Sequence, residues 1–187
     1  MRQARLAGRH FGGYEIRMAM IHVCSLARLH EVVLTTGARH IVTMLRDPNR
    51  MQRPMHIEPR NHLVLSMDDI TEPLEGYTPP SEDHVARLVD FLKEWDRSAP
   101  LVMHCLAGIS RSTAGAFVAA CALNPHRSEE TIAQALREAS PAAMPNPMLV
   151  KHADKMLGRK NRMVAAIEKI GAGQAAVENE PFRLDLE

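Results

Sequence analysis

Along this chain the apolar residues switch repeatedly between two spacings. Met20-Ile21-His22-Val23-Cys24 alternates as a strand does, and 39–45, with Ile41, Val42, Met44 and Leu45 apolar, reads as a second strand. Between them, 27–36 sets Leu29, Val32 and Val33 at helical spacing and stops at Gly37. After a polar, proline-containing loop over 46–61, residues 62–67 alternate towards a third strand. Ser81 then caps a helix, with Glu82 and Asp83 in its first turn and Val85, Leu88, Val89, Leu92 and Trp95 on one stripe. Pro100 precedes Leu101-Val102-Met103, an all-apolar run suited to a strand buried on both faces. A helix over 112–123 follows, with Ala114, Phe117, Val118 and Cys121 on one face. The next opens at Ser128-Glu129-Glu130, a third covers 148–157, and a last starts at Asn161. Strands and helices in this order predict an α/β fold: a central, mostly parallel sheet flanked by helices, with the chemistry between a strand and a helix.

Length and charge narrow the classes. The chain has 187 residues, enough for one domain with a substantial core of its own. We expect a single domain over 18–170. Residues 1–17, with Arg2, Arg5, Arg9 and Arg17, read as a flexible extension rather than a targeting segment, because no apolar region follows. Residues 171–187 read as a mobile tail, with Pro181-Phe182-Arg183-Leu184 the part able to tuck onto the domain. A net charge of +1 sets up no strong field for nucleic acid or an anionic membrane, and no apolar run approaches the roughly 18 residues of a membrane span. Three scattered cysteines argue against a disulfide scaffold and for a reducing, cytoplasmic setting. The histidines form no grouping of metal-ligand spacing and there is no nucleotide-binding glycine loop, so neither metal nor cofactor is expected. Lys151, Lys155, Arg159, Lys160 and Arg162 read as an ordinary solvated face. The oligomeric state is not legible.

One stretch carries chemistry: Leu101-Val102-Met103-His104-Cys105-Leu106-Ala107-Gly108-Ile109-Ser110-Arg111-Ser112-Thr113-Ala114-Gly115. Its order is strand, tight loop, helix, which aims backbone N–H groups and the positive end of a helix dipole at one point. A thiol is a good nucleophile only as thiolate, and converging N–H donors stabilise that charge. Gly108 lets the backbone turn closely without Cβ hindrance. Arg111 offers a planar fork for two oxygens of a phosphoryl group. Ser112 can hydrogen-bond the sulfur and ease its later departure. These parts suit phosphoryl transfer through a cysteinyl-phosphate.

The bare spacing is weak evidence, because Cys121 also has Arg127 six residues on and Ser128 after it. That second copy starts inside a helix, has Asn124 where the first has Gly108, and runs through Pro125. It is read as core. Cys24 is also read as a small core residue rather than a disulfide partner for Cys105.

His104-Cys105-Leu106-Ala107-Gly108-Ile109-Ser110-Arg111-Ser112 resembles the signature loop of the cysteine-dependent protein tyrosine phosphatases, in particular the compact dual-specificity-like branch. The likeness is close over 101–115 and looser over 39–157. It implies Cys105 as nucleophile, Arg111 and the amides of Leu106, Ala107, Gly108, Ile109 and Ser110 as phosphate binders, Ser112 as an aid to thiolate release, and His104 as support for the loop. It also implies an upstream aspartate as general acid and base, needed because the leaving oxygen must be protonated. Asp69 lies 36 residues before Cys105 (105 − 69). It shares strand parity with Leu65 and Met67, which favours it over Asp68. Pro145-Asn146 resembles a loop flanking the phosphate site in that family. The substrate implied is a phosphorylated protein, bearing phosphotyrosine and also phosphoserine or phosphothreonine. A catalytically silent phosphate-binding adaptor, a phosphoinositide phosphatase and a persulfide-carrying sulfurtransferase are the alternatives.

Overall fold

A computed structural model describes residues 20–186 of the chain. The arginine-rich extension expected over 1–17 lies outside them. Four of the apolar runs form parallel strands: β1 (Met20–Ser25), β2 (His40–Leu45), β3 (His62–Ser66) and β4 (Leu101–Cys105). A fifth, β5 (Phe182–Asp185), runs antiparallel on β1, and the sheet order is β3-β2-β4-β1-β5. β4 is buried at every residue, which is why it reads as continuously apolar rather than alternating. Its register sets Thr43 beside His104 and Ser25 beside Cys105.

Alternate side chains along each strand feed two cores. Cys24, Ile41 and Val102 face α1 (Leu29–Thr36), with Leu29, Val32 and Val33 packed on them. Ile21, Val23, Val42, Met44, Leu101 and Met103 face the opposite way, towards the larger cluster beneath α2 (Glu82–Glu94) and α3 (Arg111–Leu123). That layer also holds α4 (Glu129–Ala139), α5 (Pro147–Met156) and α6 (Arg162–Ile170). Ser81 caps α2 as the sequence predicts, and its reciprocal partner is His84, whose Nδ1 accepts the Ser81 N–H at 3.2 Å. Histidine here takes the place that glutamate or glutamine usually fills.

Three expectations need revision. The helix over 112–123 was expected to show one inward face, but α3 is buried from Arg111 to Cys121, all the way round. It lies between the sheet and α2, α4 and α5. Small residues make that possible: a Cβ on Gly115 would come within 2.3 Å of the Met44 methyl carbon. The tail expected from 171 tucks onto the domain at its 181–184 stretch, and does so as a strand, β5, with Leu184 and Leu186 buried. An edge left open on β1 is a template for another strand, and this segment fills it. The basic residues after 150 are not simply a solvated face either. Arg159 is buried, and both Arg159 (2.9 Å) and Arg162 (3.0 Å) hold the carboxylate of Glu129.

All four parallel strands point their C-terminal ends the same way, so the loops after Ser25, Leu45, Ser66 and Cys105 gather at one edge of the sheet. That edge is where open α/β sheets place ligands.

Candidate active site

β4 ends on Cys105 and α3 begins at Arg111, leaving residues 106–110 to turn through a tight loop. Gly108 makes the turn with φ +74, and a Cβ there would lie 2.9 Å from the Cys24 carbonyl carbon and the Ser25 nitrogen. No side chain fits, and the left-handed φ favours glycine in any case. The loop carbonyls are all turned outward. Leu106 O accepts from Leu26 N–H (3.2 Å), Ala107 O from Asn179 N–H (2.9 Å), Ile109 O from Met144 N–H (2.9 Å) and Ser110 O from Asn146 N–H (3.3 Å). Gly108 O accepts from the side chain of Asn179 at 2.9 Å. Since the C=O and N–H of a trans peptide lie on opposite edges of one plane, the N–H groups that follow these carbonyls face the interior of the turn. The sulfur of Cys105 sits there, 1% exposed. Gly108 N–H donates to it at 3.3 Å and Ser112 Oγ lies 3.2 Å away.

Arg111 is also buried. Its Nη1 donates to Met67 O at 2.9 Å, which fixes the plane of the guanidinium. Its Nε has no hydrogen-bond partner among the described residues and lies 3.6 Å from Asp69 Oδ2. Asp69 Oδ1 accepts from Ser110 Oγ at 2.6 Å and from Asn146 Nδ2 at 2.9 Å. A carboxylate, a guanidinium and a thiol are thus gathered at one loop. Asp68 is turned away: it is buried, accepts from Thr78 N–H (2.9 Å) and faces Arg46 (3.5 Å). The parity argument does not describe this arrangement. The alternation stops with β3 at Ser66, Asp68 is the more buried of the two, and Asp69 is brought to the loop by Ser110 and Asn146.

Beneath the loop, His104 Nε2 and His62 Nε2 each lie 2.8 Å from the hydroxyl of Thr43. Burial pushes the His104 pKa down to about 4, so at neutral pH the ring is an uncharged imidazole. Cys24 packs on the α1 face, where burial first, and Cys105 second, push its pKa up to about 12. Among the described residues no group of three or more His, Cys, Asp or Glu side chains is placed to hold a metal. No helix among them is long and apolar enough to cross a membrane.

Several residues that build the site give little or no sequence signal. In the sequence Asn146 stands out only as part of a flanking loop; in the structure its side chain bridges Asp69 and Ile70 O (3.1 Å) while capping α5. Asn179 and Met144, which hold the loop carbonyls, carry no motif at all.

Residues 73–140 match the model of the protein-tyrosine phosphatase family. Solved structures share the fold. The PTP-2 phosphatase of Cydia pomonella superposes with a TM-score of 0.58 at 18% identity, covering 72% of this chain and 84% of that one. Human DUSP28 gives 0.57 at 18% identity over 75% and 93% of the two chains. PTPMT1 in complex with PI(5)P gives 0.55 at 18% over 81% and 94%. Curated proteins yield no match. The fold is therefore that of the protein tyrosine phosphatases. The signature stretch that resembles the compact dual-specificity branch is carried on a fold shared with human DUSP28.

Proposed function

We propose that this chain is a cysteine-dependent phosphatase acting on phosphotyrosine in proteins, and in second place on phosphoserine and phosphothreonine. The observation that carries the reading is the shared setting of Cys105 Sγ, the Gly108 N–H, Arg111 and Asp69 around one loop. In the first step the Cys105 sulfur attacks phosphorus; a P–S bond forms, the P–O ester bond breaks, and Asp69 gives its proton to the departing oxygen. The inward amides and Arg111 hold the three equatorial oxygens, where charge concentrates in the transition state. In the second step Asp69 takes a proton from water, the water oxygen attacks phosphorus, and the P–S bond breaks. The Ser112 hydroxyl donates to the returning sulfur. Orthophosphate leaves and the enzyme is restored.

Phosphoinositide hydrolysis is the second reading, favoured by the likeness to PTPMT1 in complex with PI(5)P. The loop speaks against it, because Leu106, Ala107, Ile109 and Ser110 bring no cation to meet further phosphates. A silent phosphate-binding adaptor is the third. One panel separates them: p-nitrophenyl phosphate, phosphotyrosine, phosphoserine and phosphothreonine peptides, and dispersed phosphoinositides, each with the wild type and Cys105→Ser. Turnover of the aryl phosphate and the phosphotyrosine peptide that vanishes in Cys105→Ser is expected. Preference for the lipid would move the reading to the second, and phosphate binding without turnover to the third.

A further inference from the structure

After α6 the chain travels back across the molecule to the outside of the 105–111 loop. Arg137 Nη2 donates to Gly171 O and Gln174 N–H to Pro141 O, each at 2.9 Å. Gly173 passes so near the 142–143 backbone that a Cβ would lie 2.7 Å from two carbonyl oxygens. At 178–180 the segment meets the loop's surroundings. Glu178 accepts from the Ser25 hydroxyl, and Glu180 lies 3.6 Å from Arg28. Between them Asn179, 6% exposed, holds both Ala107 O, through its main-chain N–H, and Gly108 O, through its Nδ2. Ser140 Oγ lies 2.9 Å from Asn179 Nδ2 and 3.1 Å from its Oδ1, and holds the side chain in place. β5 then anchors the segment on β1.

Peptide planarity turns these contacts into a statement about the site. Holding Ala107 O outward holds Gly108 N–H inward, and that is the N–H found 3.3 Å from the Cys105 sulfur. Holding Gly108 O does the same for the N–H of Ile109. Gly108 is also where the loop has most conformational freedom to lose, so restraint from outside matters most there. Residues 106 and 109–110 are held by neighbours at 26, 144 and 146, whereas 107 and 108 both depend on one asparagine from the C-terminal segment.

We propose that Asn179 is a positioning residue whose side chain, by holding Gly108 O outward, aims the amide of Ile109 at a bound phosphoryl group. The inference rests on the phosphatase reading for its catalytic consequence, but its anion-binding consequence can be measured without turnover. A purely structural role, in which β5 only closes the sheet edge, makes a different prediction. Leu184→Ala removes a buried side chain from β5 and leaves the loop carbonyls their partners, so it serves as the control.

The test uses the full chain in four forms: wild type, Asn179→Ala, Asn179→Asp and Leu184→Ala. Inorganic phosphate affinity is read by titration calorimetry, Tm by scanning calorimetry, and kcat and KM on p-nitrophenyl phosphate, all well below each Tm. Both Asn179 variants lose the donor to Gly108 O, and phosphate affinity and kcat/KM should fall by about tenfold or more. Leu184→Ala should lose as much Tm or more while keeping affinity and kcat/KM within about twofold. Wild-type affinity in Asn179→Ala, or affinity in Leu184→Ala falling in step with its Tm, would overturn the proposal. If the wild type binds phosphate but turns nothing over, the phosphatase reading fails while the positioning of the Ile109 amide is still decided by the affinities.

Discussion

Cys105 and Cys121 each stand six residues before an arginine and seven before a serine. The first lies at the C-terminal end of β4, where the chain leaves the sheet, turns at Gly108 and enters α3. The second lies in the last turns of α3 itself, and its chain leaves the helix at Asn124. Around Cys105 the loop carbonyls face outward and their amides inward. After Cys121 the amides are committed to the chain's own turns: Asn124 N–H donates to Ala120 O and Arg127 N–H to Asn124 O, both at 3.1 Å. The Cys121 carbonyl is tied at 2.5 Å to Arg159, and burial pushes its thiol pKa up to about 12. Spacing alone carries no chemistry; the backbone between the cysteine and the arginine decides whether there are donors to share.

The widest separation should come from the sulfurs. Cys105→Ser is expected to lower kcat on p-nitrophenyl phosphate by about four orders of magnitude or more, and Cys121→Ser to leave it within about twofold. Iodoacetate at neutral pH should label Cys105, with phosphate protecting it, and spare Cys121, whose thiol pKa is pushed up to about 12. Comparable losses in the two serine variants would end the comparison.

Next in size is the carboxylate over the first stretch. Asp69→Asn should cost about 10²- to 10³-fold in kcat, more than Asp68→Asn, because only Asp69 lies beside Ser110 and Arg111. Equal or reversed losses would remove Asp69 as the proton donor.

The residue before each cysteine offers a third contrast: His104 before Cys105, Ala120 before Cys121. Burial lowers the His104 pKa from 6.5 to about 4, so the unfolded chain takes up that proton first. The stability linked to it is complete above pH 6.5 and is lost as pH falls towards 4, by about 3 kcal/mol at the bottom of that window. Carboxylates titrate there too, so the readout is a difference. Between pH 6.5 and 4 the Tm of His104→Gln should fall less than that of the wild type. Parallel curves would mean that His104 is already charged in the folded chain.

Much of this arrangement was legible because local rules and the tertiary fold agree. Each strand but the last shows its apolar run, Ser81 and Ser128 mark helix starts, and the 101–115 stretch gives strand, loop and helix in order. What was not legible depends on distant partners. Phe182-Arg183-Leu184-Asp185 is too short to announce a strand, and its partner β1 lies at the far end of the sequence. Asn179 carries no motif, since its role exists only where the C-terminal segment passes the loop. The alternation that favours Asp69 ends at Ser66; what brings it to the loop are hydrogen bonds from residues 110 and 146.

The two serines provide the finest test, because they hold equivalent places in the spacing and do unrelated work. Ser112 Oγ lies 3.2 Å from the Cys105 sulfur and is buried in the first turn of α3. Ser128 Oγ accepts from Thr131 N–H at 3.1 Å and caps α4. Ser128→Ala should therefore cost about 1 kcal/mol of stability and leave turnover alone. Ser112→Ala should slow the second step, release of the sulfur from phosphorus, by about tenfold or more. That step is seen as a burst of p-nitrophenol followed by a slower steady state, since the first step does not need the donor. A burst in Ser128→Ala, or none in Ser112→Ala at reduced kcat, would show that the hydroxyl beside the sulfur is there for packing and not for departure.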